Sequence, residues 1–324
     1  MSPERATRPV STTPGDRTRA PRVSVVVPLF QKERYIGRTV ASVLGQTFDD
    51  FELVVLDNAC TDASAEIVAS FRDPRVRLEH NDATVPAPEN FDRAVRLARA
   101  PLVKVLMADD LLAPTLLAEQ VPLMEADPSL ALVSCRHDLV DDDDRVIVTG
   151  RALGSPDLIG PRDGATVLRR IVRHRGNPIG APGNMLFRRD AYDACGGFPA
   201  DTYVLDVGLA ARLVTQGRFY GMPESLSQFR LATGSLTSSH RRANTATQHA
   251  FLRTLRREHR GVVRRRDVAY GMVREPLTWL RSQLIAAAST DPASRRHRVA
   301  SAALGRRPVP PGQRGVANTT MLSR

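Results

Sequence analysis

Asp109 and Asp110 come, after Met107-Ala108, at the end of the strand-like segment Leu102 to Leu106, and two adjacent carboxylates are donors suited to a hard divalent cation such as Mg or Mn. Two more polar groups come directly after short apolar runs. Val23 to Val27 leads into Pro28-Leu29-Phe30-Gln31-Lys32, and Leu53 to Leu56 leads into Asp57-Asn58. An aromatic ring, an amide or carboxylate able to pair with a base edge, and a carboxylate pair together describe a site for a nucleotide diphosphate and its metal. The chain has no GxGxxG or GxxxxGK loop, so the phosphate charge falls to the cation rather than to backbone amides. A plainer alternative for Asp109 and Asp110 is capping of a helix that begins near Pro114.

Position matters because ligands of an open parallel sheet bind beyond the carboxyl ends of its strands. The spacing of apolar residues predicts such a sheet. Strands at Val23 to Val27, Leu53 to Leu56, Val76 to Leu78 and Leu102 to Leu106 alternate with helical stripes. The stripes are Ile36, Val40, Val43 and Leu44, then Ala63 to Phe71, then Phe91, Val95 and Ala98. Repeated βα units predict an α/β fold, a mainly parallel central sheet flanked by helices, and bring the three polar clusters to one rim. A helix from Pro114 towards Ala126 should bend at Pro122, and Ala131 to Ser134 reads as a strand. Asp141 to Asp144 reads as a solvated turn without function before an edge strand, Arg145 to Thr149. Asp163 caps a helix through Arg173, Asn184 to Phe187 is a strand, and Gly196-Gly197 closes the short helix after it. Asp206 to Gln216 is the last core helix. Arg230 follows a strand at Ser227 to Phe229, where it could steady a phosphate.

The stretch VSVVVPLFQKERYIGRTVASVLGQTFDDFELVVLDNACTDAS resembles the opening pattern of the inverting family 2 glycosyltransferases of the GT-A fold, and the resemblance runs over about residues 22 to 240. It implies a GT-A-like domain that moves a sugar from a nucleotide diphosphate sugar, UDP- or dTDP-linked, to an acceptor hydroxyl with inversion. The acceptor would be a saccharide, a lipid-linked molecule or a small molecule. It also implies that Phe30 and Asn58 hold the base, that Pro28, Lys32 and Asp57 lie close by, and that Asp109 and Asp110 bind ribose and metal. An alcohol is a poor nucleophile until a positioned group takes its proton. Tyr203-Val204-Leu205-Asp206-Val207-Gly208-Leu209 resembles the family's acidic motif, which makes Asp206 the base, with Asp201 as fallback and helix capping as its plainer role. The loop Asn177 to Asn184 matches one over the acceptor side.

The chain departs from the pattern where Asn58, Met107 and Leu205 replace acids, and where Ala232 stands in place of a metal-binding His. His240 reads as an exposed bystander, and His80 and His137 have no role. These departures suggest one alternative, an inactive module that only binds a nucleotide sugar. The other is a sugar nucleotidyltransferase, although the Gly-rich, Arg-containing loop of such an enzyme is missing.

The whole chain, 324 residues with 42% hydrophobic content, suffices for one large core with extensions. Residues 1–21 read as a disordered leader, 22–242 as the catalytic domain, 243–305 as a helical Arg-rich extension and 306–324 as a disordered tail. Cys60, Cys135 and Cys195 lack CxxC spacing, which fits a reducing, cytoplasmic setting, and neither a secretion signal nor a membrane-spanning run is apparent. The formal charge of +11 is concentrated in the last third, with Trp279, Leu280 and Leu284 as apolar anchors. Arg253 to Arg266 and Arg295 to Arg307 could lie against an anionic membrane surface as a peripheral contact, or form solvated helices. Too few aromatics accompany these cations for nucleic-acid binding.

Overall fold

The computed structural model describes residues 20–174, 177–200, 204–231 and 241–273. Expectations for the rest of the leader, for Asp201, Tyr203, Ala232, His240, Trp279, Leu280 and Leu284, for Arg295 to Arg307 and for the tail lie outside the described residues.

Strand β1 (Val23–Leu29) is buried along its whole length, and its alternating side chains enter two different cores. Val25 and Val27 pack with α1 (Ile36–Leu44), α2 (Ser64–Ala69) and α4 (Leu116–Ala126). Val26 joins the opposite face, with α3 (Ala87–Arg96), α5 (Gly164–His174) and α7 (Leu205–Leu213). This two-sided burial is why the strand reads as a continuous β-branched run. With β2 (Phe51–Asp57), β3 (Val76–His80) and β4 (Leu102–Val105) it forms a parallel unit in the order β3-β2-β1-β4. Leu29 stands opposite Asp57, Asp57 opposite His80 and Val26 opposite Val105, so the strand ends share one rim.

Beyond β4 the sheet is mixed. Antiparallel β9 (Met185–Arg188) joins β4 to β6 (Leu130–Val140); β10 (Arg218–Arg230) runs parallel to β6, and β5 (Leu111–Leu112) closes that edge. β7 (Val146–Arg151) pairs with β6, and β8 (Gly160–Arg162) with β10. Helix α6 (Arg189–Ala194) follows β9 and ends at Gly196 and Gly197, both at positive φ.

Three local outcomes refine the sequence expectations. β1 continues through Pro28 because the missing N–H faces the β4 side, where the ladder already ends with Leu106 donating to the Val26 carbonyl. α4 runs through Pro122 to Ala126. The turn Asp141 to Asp144, expected to be merely solvated, is instead clasped by a tyrosine and three arginines: Asp142 accepts from Tyr35 Oη at 2.8 Å, Asp143 pairs with Arg34 at 3.4 Å, and Asp144 pairs with Arg38 and Arg230. Four acids in one turn repel one another, and arginines from α1 and β10 relieve that repulsion.

Helices α8 (Arg241–Glu258) and α9 (Arg265–Val273) add to the α5 face, where Leu252, Leu255, Val263 and Val268 share a core with Val167, Ile171 and Val172. Arg173 pairs with the buried Asp267 at 2.6 Å. Gly271 permits the close approach, since a Cβ there would run into the Val172 carbonyl. Among the described residues, no helix is long and apolar enough to cross a membrane.

Candidate active site

The rim begins where β1 gives way to a loop pinned against α2. Gln31 adopts a left-handed φ of 50°, its N–H meets Cys60 Sγ at 3.2 Å, and the Lys32 N–H donates to Ser64 Oγ at 2.8 Å. Pro28 is buried in β1, while the Phe30 ring is 44% exposed and free to stack on a planar ligand. Pinned in this way, Lys32 reaches across to Asp109, with Nζ 2.6 Å from Oδ2.

Asp57 is buried at the end of β2; it accepts from the Cys60 N–H at 3.0 Å and lies 3.1 Å from His80 Nδ1. Asn58 is equally buried, and its amide is heavily used. Oδ1 accepts from Asn81 Nδ2 at 2.9 Å and from the Val85 N–H at 3.0 Å, while Nδ2 donates to the Val85 carbonyl at 3.0 Å. The side chain therefore shapes the loop 81–85, and its second amide N–H is not used in these bonds.

The chain after β4 folds into a tight turn in which the Asp110 N–H donates to the Met107 carbonyl at 3.1 Å. Thr39 Oγ1 holds the turn from α1, its single hydrogen shared between the carbonyls of Ala108 and Asp110 at 3.1 and 2.9 Å. Asp110 is only 3% exposed, and its Oδ1 accepts the Arg230 N–H at 2.9 Å. Burial, and then the neighbouring Asp109 charge, hold its carboxyl well above the usual range. Helix capping is excluded for this pair, since α4 begins at Leu116 after Thr115.

Arg230 is not available to a phosphate, contrary to expectation. Its guanidinium is completely buried, with Nε donating to the Asp109 carbonyl at 2.9 Å, the terminal nitrogens bound to the Asp141 carbonyl and the Asp144 carboxylate, and Tyr35 stacked 4.9 Å away. It braces the acidic turn from behind.

Asp206 lies in the first turn of α7, after Val204, rather than at the capping position. Its Oδ2 accepts from Asn177 Nδ2 at 3.0 Å, and burial raises its carboxyl while the Asn177 bond opposes that rise. Asn177 Oδ1 in turn accepts the N–H groups of Ile179 and Gly180 at 3.0 and 3.2 Å. The same loop ends under the acidic turn: a Cβ at Gly183 would lie 3.1 Å from Leu106 Cδ1. Lys104, in β4 and fully buried, donates to the carbonyls of Gly183 and Met185, each at 2.9 Å. Asp206 and Asp110 make no direct contact, and one loop running from Asn177 to Asn184 links their surroundings.

Sequence reasoning missed Asn177, Lys104, Arg230 in its bracing role, and Asn184, whose Nδ2 bonds the Cys135 carbonyl and lies 3.0 Å from His137 Nδ1. The loop holding Asn177 and Asn184 was marked but the roles of these two residues were not, and nothing in the local pattern marked Lys104 or the bracing role of Arg230, whose partners lie far away in the chain. Met107 and Leu205, standing where the resemblance has acids, both pack against the core on the α5–α7 face.

The donor set fits a hard dication. Asp109 and Asp110 are adjacent carboxylates close enough for the Asp109 charge to raise the Asp110 carboxyl, and a nearby positive charge would relieve that rise. Among the described residues no group of three or more His, Cys, Asp or Glu could share an ion, so phosphate and water would complete the shell, as is usual for Mg. A hollow of about 610 Å³ lined by Ser129, Asp163, Gly217, Arg218 and His259 lies at the amino end of β6 and β10, away from all these groups.

Comparisons with known proteins agree with the fold. The model of the family "Glycosyl transferase family 2" matches residues 24–196. An uncharacterized protein of Mycobacterium tuberculosis is 30% identical over 237 residues, covering 70% of this chain and 71% of its own. Several other curated relatives align over less than half of their own length. The structure of S. aureus TarS 1-349 in complex with UDP-GlcNAc superposes with a TM-score of 0.59 at 17% identity, over 86% of this chain and 73% of that one. The mannosyltransferase PcManGT from Pyrobaculum calidifontis, in complex with GDP-Man and Mn2+, gives 0.54 at 20% identity, over 92% and 83%. At these identities the likeness is one of fold, and that fold is the GT-A-like α/β arrangement described above. Because the family match spans more than half of the chain and contains the whole rim from Pro28 to Asp110, the chain belongs to glycosyl transferase family 2.

Proposed function

We propose that this glycosyltransferase moves a sugar from a UDP- or dTDP-linked donor onto an acceptor hydroxyl by a single in-line displacement with inversion. The observation that carries the reading is the buried acidic turn after β4, with Lys32 in front of it at 2.6 Å and Arg230 behind. The complexes of TarS with UDP-GlcNAc and of PcManGT with GDP-Man and Mn2+ support a nucleotide-sugar donor and a divalent metal. Phe30 stacks on the base, Asp57 and the remaining Asn58 N–H lie beside it, and Pro28 shapes the floor. Asp109 contacts the ribose, and Asp109 and Asp110 are the residues that would hold Mg or Mn. A dication bound there supplies positive charge to the departing diphosphate. Asp206 takes the acceptor proton. Its raised carboxyl suits that task, because a base works best when its pKa approaches the working pH. A saccharide, a lipid-linked molecule or a small molecule serves as acceptor. The three free thiols fit a cytoplasmic setting.

The test is hydrolysis of a panel of nucleotide sugars with Mn, in the wild type and in Asp110→Asn. Turnover of a uridine or thymidine sugar that falls by roughly a hundredfold or more in the variant supports the reading. Saturable binding of a nucleotide sugar without turnover would identify a binding module instead.

A further inference from the structure

The last two helices present a cationic surface for which the fold has no use. Arg253, Arg257 and Arg260 are exposed at spacings of four and three, the first two on one face of α8 and the third just beyond its end. Arg264, Arg265 and Arg266 are exposed where α9 begins; among the described residues none of the six forms a salt bridge, and only Arg266 lies near enough to the buried Asp267 to help hold its carboxyl down. The nearby acids do not balance them. Asp267 is buried on Arg173, which leaves Glu258 as the one exposed acid from Arg253 to Val273. Three arginines at a helix start also oppose the backbone dipole, which favours negative charge there. Folding gains nothing from that placement.

A second observation selects the partner. The large apolar side chains left exposed among the described residues are Phe30, Val146, Tyr270 and Val273, and the last two sit on α9 at 51% and 78% exposure. An exposed aliphatic side chain and a single ring beside a dense row of arginines match a helix lying in a bilayer interface, whereas a nucleic-acid surface calls for several aromatics interleaved with the cations, and from Arg253 to Val273 Tyr270 is the one aromatic ring of Phe, Tyr or Trp type. The helices rest on the α5–α7 face, which also carries Asp206, and α5 ends three residues before Asn177. We infer that α8 and α9 form a docking surface for an anionic lipid bilayer, bringing the Asp206 side of the enzyme to the membrane. Arginine headgroup attraction supplies most of the affinity, and Val273 inserts among the acyl chains.

The experiment is co-sedimentation of the full chain with vesicles of phosphatidylcholine alone or with one-third phosphatidylglycerol. Binding to the anionic vesicles only, weakened by added salt, is expected. The triple variant Arg260→Gln, Arg264→Gln, Arg265→Gln should lower the partition coefficient on the order of a hundredfold, at about fivefold per charge. Its melting temperature should stay at the wild-type value, since none of the three side chains has a partner to lose. Equal binding to both vesicle types, unchanged binding by the variant, or capture by single-stranded RNA but not by vesicles would each overturn the inference. The outcome is independent of the transfer reaction, because a chain without turnover would still sort onto anionic vesicles.

Discussion

Among the described residues the fully buried Lys104 meets no carboxylate, and burial brings its pKa from 10.5 down to about 7. A neutral amine has two N–H groups, and two carbonyls, those of Gly183 and Met185, receive them. Each pH unit of displacement corresponds to about 1.4 kcal/mol, so charging Lys104 inside the fold costs about 5 kcal/mol. Between pH 7 and 10.5 the unfolded chain holds this proton and the folded chain does not. Stability therefore rises with pH through that window, by up to about 1.4 kcal/mol per unit, and the contribution is lowest below pH 7. Lys104→Met removes the titration while keeping an unbranched side chain of similar length. It also leaves two carbonyls without donors, at about 1–3 kcal/mol each, so the offset between the proteins carries less information than its pH dependence. Urea unfolding of both at pH 6, 7, 8 and 9 measures that dependence, and titrations remote from Lys104 cancel in the difference; Cys135, which interacts with Lys104, has its thiol pushed up to about 11 and stays protonated in the fold over this range. The wild type should gain on the variant by about 2–3 kcal/mol between pH 7 and 9. A difference that stays flat across this range would mean that Lys104 remains protonated in the fold, and the argument for a neutral amine clamp would fail.

Asp206→Asn should lower kcat for sugar transfer by roughly a hundred- to ten-thousandfold with little change in the donor KM, as measured by nucleotide diphosphate release. Asn177→Asp keeps the acceptor for Ile179 and Gly180 but replaces the donor to Asp206 with a second carboxylate; the acidic limb of the kcat/KM profile should move to higher pH, with activity recovering in alkali. An unmoved limb would show that Asn177 does not tune Asp206. Arg230→Met strips three partners from a buried network and should destabilise the fold by about 3–5 kcal/mol in urea, and Arg230→Lys should not restore it, because a single ammonium cannot span all three acceptors.

The parallel half of the sheet was legible because its strands are buried on both faces, so β1 and β2 announce themselves as Val- and Leu-rich stretches broken only by Ser24 in β1 and by Glu52 and the terminal Asp57 in β2. The acidic turn, Lys32 and the rim were legible from the same runs, since sheet topology dictates what stands at strand ends. β6 was harder to read. It was expected at Ala131 to Ser134 and extends to Val140, through Arg136, His137 and Asp138, because pairing with β7 and β10 overrides the local pattern. The brace at Arg230 was misread for a related reason: its partners lie about ninety to a hundred and twenty residues earlier, and no local rule links them.

That brace also has a consequence for grafting work on this scaffold. Tyr35 and Arg38 on the first helix side, Asp144 in the hairpin and Arg230 on the last strand share one set of contacts, so they behave as a single mechanical part assembled from three distant stretches of chain. A chimera that imports the hairpin from a relative without its matching arginines would loosen the backbone beneath Asp109, and donor handling would suffer even though no ligand-touching side chain had been exchanged. Transplanting the three stretches together should preserve it.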